Sequence, residues 1–271
     1  GSDDNSQRVA SAMRNASTRI STAAPSQSSL NGKINSTAPT HGTAAVIESG
    51  AVVDAGEDIE VTANEDVEVD LIVGGFAGGL LGAGAAISVT SVAANATAEA
   101  NGILAAGDDD GDDIAVKALL DEDVSIRALS GQVGFVGLGA AVVVLDDAST
   151  VQASVGSVIS ASSVTVLADA DQDLTVETGQ VQVGAGAAGA SFTRLTADGQ
   201  VTATAANDAR IGQQPNETVG SLTVTADSYV NADAKTTAIA AGVVALSANF
   251  AFVDVTPSVK ASIGSGAVVD V

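Results

Sequence analysis

Carboxylates in this chain come in pairs two residues apart, and the pairs recur. Asp66 and Glu68, Asp121 and Asp123, and Asp171 and Asp173 hold the same two places in three successive, similar stretches; in a fourth, Tyr229 and Asn231 hold them. Side chains two apart on a strand share a face. If the stretches stack, the pairs become columns of like charge, which repel themselves unless cations sit between their members. Ca2+ suits such a place because it takes about six to eight oxygen ligands from carboxylates and carbonyls. The competing reading is a solvated acidic edge that blocks sideways aggregation. The densest acidic run is Asp108-Asp-Asp-Gly-Asp-Asp113, where Asp108, Asp110 and Asp112 are candidate ligands by composition. Its order is not that of an EF-hand, which wants an acid at 106 and a Glu at 117, where Ala106 and Lys117 stand.

Little else could do chemistry. His41 is the single His, there is no Cys, and no Ser/His/Asp set can be assembled around it. Paired carboxylates can cleave glycosidic bonds, but sugar sites also present aromatic platforms. Aromatics make up 2% of the chain, and Ile87, Val142, Phe192 and Phe250 share one repeat position that reads as a core stack. The expectation is a chain without catalytic residues, since function has to be argued from a site.

The elements that position these acids are repeats. Four blocks, 59–101, 114–156, 164–206 and 222–264, align without a gap, and their starts lie 55, 50 and 58 residues apart. Five places are identical in all four, among them Val61, Val116, Val166 and Val224, and Gly79, Gly134, Gly184 and Gly242. Length varies only in the joints, as stacked repeats require. Within blocks, apolar and polar residues alternate: Val67, Val69 and Leu71 with Glu68 and Asp70; Val259, Ala261 and Ile263 with Lys260 and Ser262. That is the strand period. Small residues dominate the interior positions, so stability must come from many repeated contacts and a long ladder. The expected fold is all-β: an elongated parallel β-solenoid or β-helix of about four repeats of roughly 54 residues. At strands of about five residues a repeat fits two rungs, giving about eight rungs and a rod on the order of 40 Å long. The runner-up is an antiparallel two-layer arrangement of hairpin repeats.

Two domains follow. Residues 45–271 form the repetitive acidic body, with 31 acids against 6 bases; residues 1–44 are a polar, basic arm or linker holding Arg8, Arg14, Arg19 and Lys33. The net charge of −23 opposes binding to nucleic acid, whose phosphates demand Lys and Arg. Leu71 to Val89 carries no charge over nineteen residues, long enough for a membrane span. Its counterparts contain Gln132, Gln180 and Gln182, and Lys235, so no transmembrane span is expected. The motif Ile47-Glu-Ser-Gly-Ala-Val-Val-Asp54 returns as Ile263-Gly-Ser-Gly-Ala-Val-Val-Asp270, an arrangement expected of a piece of a longer array.

The run Ala261-Ser-Ile-Gly-Ser-Gly-Ala-Val-Val-Asp270, joined in its first copy to Ile59-Glu-Val-Thr-Ala63, resembles the repeats of large filamentous bacterial surface adhesins, as does Gly82-Ala-Gly-Ala-Ala86 leading into a Val-rich strand. The resemblance covers about 45–271 and departs from the pattern at the long joint Ile211 to Ser221. It implies a parallel β-solenoid at the bacterial cell surface or outside it, serving as a stalk or adhesive fibre. Implied partners are neighbouring repeats, further copies joined head to tail, and host or bacterial surface glycans. The alternatives are a calcium-dependent carbohydrate-binding module and a polysaccharide-cleaving β-helix enzyme.

Overall fold

The computed structural model describes residues 41–107, 111–213 and 218–271. Strands β1 (His41–Ile47) and β2 (Val52–Asp54) lead into the first block, which is one long strand β3 (Ile59–Val92) followed by β4 (Ala94–Ala105). The second block repeats this as β5 (Asp113–Asp147) and β6 (Thr150–Ser160). In the third, the long strand is interrupted into β7 (Ser163–Val183) and β8 (Gly186–Ala197), before β9 (Gln200–Ala205) and β10 (Arg210–Ile211). The fourth gives β11 (Leu222–Ala241), β12 (Val244–Val255), β13 (Ser258–Ile263) and β14 (Val268–Val269). Among the described residues there is no helix, hence none long and apolar enough to cross a membrane.

All pairing between blocks is parallel and in register. Ile59 lies beside Ile114, Ile114 beside Val164, and Val164 beside Leu222. β4, β6, β9 and β13 form the second such ladder, from Asn95 against Thr150 to Ser258 against Gln200. Ladder neighbours are therefore one whole repeat apart, which corrects the expected two rungs per repeat. Each repeat contributes a single wide layer, and four layers at about 4.8 Å are on the order of 20 Å tall, half the expected height. The long dimension runs along the strands.

The layer is wide because each long strand turns back on itself. The turn lies at the Gly shared by all repeats, for two reasons. Gly79 has φ 137°, a region that side chains disfavour. A Cβ on Gly134 would collide with the Gly79 carbonyl oxygen, one on Gly184 with that of Gly134, and one on Gly242 with that of Gly184. The two legs then face each other, and their separation changes along the layer. Near the base, Ile59, Val61 and Ala63 and their ladder partners meet Ala94, Ala96, Ala98 and Leu104 in one core. Further out, Val124, Ile126, Leu174 and Val176 meet Val143, Leu145 and Leu195 in a second. Beyond that the backbones almost touch: a Cβ on Gly75 would strike the Ala85 carbonyl. We call this last part the blade.

The small turns of the joints repeat as well. Gly50 and Gly266 both have positive φ, and Ala51 N–H and Ala267 N–H close onto the carbonyls of Glu48 (3.1 Å) and Gly264 (3.4 Å). In the third repeat Asp208 takes the same role at φ 59°, with Ala209 N–H donating to Ala206 (3.3 Å). Asp tolerates that region better than most side chains, which is why the motif survives the loss of its Gly.

Candidate functional site: the acidic columns and a buried carboxyl pair

The register places the recurring acids as the block alignment implies. Asp66 lies beside Asp121, Asp121 beside Asp171, and Asp171 beside Tyr229; Glu68, Asp123, Asp173 and Asn231 form the parallel series. Both columns are exposed on the outer face of the first leg. Asp169, beside Asp227 in the adjoining column, has its carboxyl pushed up by partial burial and by the charges of Asp227 and Asp171. By register, each column sets three acids side by side in successive repeats. Among the described residues, however, no three acids or histidines converge closely enough to hold a single metal ion. Asp108 and Asp110 lie outside the described residues; Asp112 borders that loop, its carbonyl accepting Ser162 N–H at 2.7 Å.

A second acidic group has its place inside the protein. Glu122 and Asp147, on opposite legs of the second repeat, are both buried between the two apolar cores, with Ser149 and Gln172. Gln172 Nε2 donates to Glu122 Oε2 at 3.0 Å and to Asp147 Oδ2 at 2.8 Å. Ser149 N–H donates to Asp147 Oδ1 at 3.2 Å. The Ser149 hydroxyl accepts Ala94 N–H (3.1 Å) and has one proton to give to either Asp147 Oδ1 (2.6 Å) or Glu122 Oε2 (3.0 Å). Donors therefore gather on Asp147, whereas Glu122 Oε1 is buried without a hydrogen-bond partner. Burial, then the neighbouring Asp147, pushes the Glu122 carboxyl up to about 7; burial also raises Asp147. Below about pH 7 the pair therefore favours one proton and one charge between its two carboxyls, because two buried charges this close cannot both ionise cheaply.

Sequence reasoning passed over this pair, although a signal for it exists. Glu122 shares its block position with Val67, Gln172 and Val230, and Asp147 shares its own with Val92, Ala197 and Val255. An acid at a place held in the other repeats by Val, Ala or the neutral Gln172 is the mark of a polar group turned inward. The pair is sealed from solvent, so it can store a proton and fix which repeat lies on which, but it cannot meet a substrate.

One further expectation is corrected. Ile87, Val142, Phe192 and Phe250 do share a ladder position, yet they lie on the outer face; Phe250 is 52% exposed, and the inward neighbours are Ala86, Ala141 and Ser191. The glutamines that interrupt the apolar runs are hidden: Gln132, Gln180 and Gln182 point between the legs. They fill space that Gly leaves on the other leg. Gln132 Nε2 donates to the Gly84 carbonyl (3.0 Å), Gln180 Nε2 to that of Ala190, and Gln182 Nε2 to Gln180 Oε1 (2.5 Å).

A shallow depression of about 290 Å3 lies along the ladder of β4, β6 and β9, lined by Glu99, Gln152, Ser154, Thr202, Thr204 and Asn207 among others. It is polar and has no aromatic wall. In comparison with known proteins, the chain matches no family model, no curated protein and no solved structure.

Proposed function

We propose that the chain is a β-solenoid module of a secreted or cell-surface bacterial filament or adhesin, with a structural role in adhesion or assembly and no catalytic one. The observation that carries this reading is the open-ended stack. Equivalent positions of successive repeats pair along both legs, with breaks at the bend and register shifts in a joint, and the outermost long strands, β3 at one end and β11 and β12 at the other, have no partner on their outer side among the described residues. Such an architecture lengthens by adding like repeats, from the same chain or from a second copy joined head to tail. The resemblance of Ala261 to Asp270 to adhesin repeats supports the extracellular setting.

The test is a tandem fusion of residues 45–271 to themselves. Continuation of the stack gives one cooperative unfolding transition at higher temperature than the single unit, and small-angle scattering in which the stacking dimension doubles. Two units that melt independently at the original temperature would defeat the solenoid reading.

A calcium-dependent carbohydrate-binding module is the second reading, favoured by the acid columns and the polar depression beside Thr202 and Thr204. Calcium-dependent signal on a glycan array would support it. Turnover of acidic polysaccharides would instead establish the enzyme that this reading rejects.

A further inference from the structure

The blade is built inside out. Its interior holds Gln132, Gln180, Gln182, Thr178 and Thr193, all buried, while its outer faces carry apolar side chains. On the outgoing face Phe76 is 80% exposed, Val133 62%, Val181 47% and Ile239 55%. No charged residue occurs between Asp70 and Glu99, Arg127 and Asp146, Glu177 and Arg194, or Lys235 and Asp254, so every repeat leaves its blade uncharged. The apolar field begins at a charged ladder on the outgoing leg, where Arg127 and Lys235 flank Glu177 at 3.7 and 3.6 Å. Single exposed apolar residues are ordinary, but a continuous apolar sheet face bounded by charge marks an association surface.

We propose that the blade faces join copies of this chain laterally, sheet face against sheet face. Three arguments select a second copy. The first is area. On one face residues 73–79 span about 23 Å at about 3.3 Å per residue, and four layers rise about 19 Å. Two copies then bury on the order of 900 Å2, slightly under the roughly 1,000 Å2 that a specific contact needs. The return face, with Phe250 and Leu246 exposed, offers a similar field to a second neighbour, so each contact is of the small, weak class and association depends on concentration. The second is charge. The columns at Asp66 and Glu68 sit more than ten residues behind the bend, roughly 35 Å along the strand, against a screening length of about 8 Å. Blades can overlap while the acidic bodies stay apart, despite a net charge of −23. The third excludes a bilayer as the occupant. The outer edges of β3 and β12 hold backbone groups without partners among the described residues, and hydrocarbon cannot satisfy them. Blades in face-to-face contact leave those edges in water.

This contact differs from head-to-tail stacking, and the experiment separates the two. The weight-average mass of the wild-type chain, followed by sedimentation across a hundredfold concentration range, rises above monomer, and less than threefold in dissociation constant separates low from high NaCl. The variant Val133→Lys/Val181→Lys/Ile239→Lys places three charges on the outgoing face without entering the core, and remains monomeric with an unchanged far-ultraviolet spectrum. If the lysines disturb folding, Val133→Thr/Val181→Thr/Ile239→Thr keeps strand preference and still weakens association at least tenfold. Equal association of wild type and folded variants overturns the proposal, because end-to-end edge pairing survives these substitutions. A wild-type chain monomeric throughout also overturns it, and cosedimentation of that monomer with phosphatidylcholine vesicles would assign the blade to lipid.

Discussion

The base of each layer and its blade solve the same packing problem in opposite ways. At the base, Val, Ile and Leu face inward and carboxylates face out; Ile114, Val116 and Leu104 are fully buried while Asp121 and Asp123 are solvated. In the blade, the legs come so close that the side chains between them are Gly, Ala, Ser, Thr and slender Gln, and the larger apolar residues are pushed outside. One ladder register serves both. The lesson is that the distance between two sheets, set by the residue volumes available, decides the sense of an apolar/polar alternation as much as hydropathy does.

The comparison can be broken by changing volume. Ile114→Ala removes a buried branched side chain from the base and is expected to cost about 2–5 kcal/mol in denaturant unfolding. A cost under about 0.5 kcal/mol would show that the base is not a close-packed core.

Charge at the boundary of the two regions comes next. The folded protein holds the Glu122 proton up to about pH 7, above the ordinary carboxylate value of 4.5. Folding therefore binds a proton more tightly than the unfolded chain does. Stability is greatest below the unfolded value, falls as pH rises toward 7, and levels off above it, a change on the order of 3 kcal/mol. The charged groups bearing on the pair are Asp147 and, through Asp147, Asp198. Repulsion among surface acids has the same sign, so the discriminating variant is Glu122→Gln, which imitates the protonated form. It is expected to flatten the dependence between those two pH values while Asp121→Asn, on the solvated face, leaves most of it. Equal slopes in wild type and Glu122→Gln would move the proton elsewhere.

In the blade the sign of the volume effect reverses. Gly134→Ala adds one carbon against the Gly79 carbonyl and is expected to destabilise by about 1–3 kcal/mol, the usual cost of overpacking. The same substitution at Gly56, where a Cβ would meet open space, is expected to be close to neutral. A neutral Gly134→Ala would mean that the legs can separate freely.

The smallest effect concerns the acid columns. With calcium at ten times its dissociation constant, a site present only in the folded state adds about 1.4 kcal/mol. On the calcium-dependent reading, CaCl2 raises the melting temperature above NaCl at equal ionic strength, and Asp121→Asn/Asp171→Asn abolishes the difference. Equal shifts from the two salts would leave the columns as a solvated edge.

From residue order alone, the repeats, their register and the acid columns were legible. An ungapped block alignment translates directly into ladder pairing when repeats stack in parallel, so Asp66, Asp121 and Asp171 had to become neighbours once that stacking held. The joint turns were legible too, because Gly50 and Gly266 mark a backbone region open to few residues. Tertiary structure decided the rest. Gly and Ala occur at both parities between Gly74 and Ser88 and in the matching runs, and Gln132, Gln180 and Gln182 all fall on one parity, which hydropathy alone would have turned outward; the near contact of Gly75 with Ala85 turned it in. It also decided the number of layers, since repeat length cannot distinguish two short rungs from one wide layer that bends at Gly79. And it brought Glu122 to Asp147 across a fold of the strand, where loss of water, which no local pattern records, turned two ordinary acids into a pair that shares a proton.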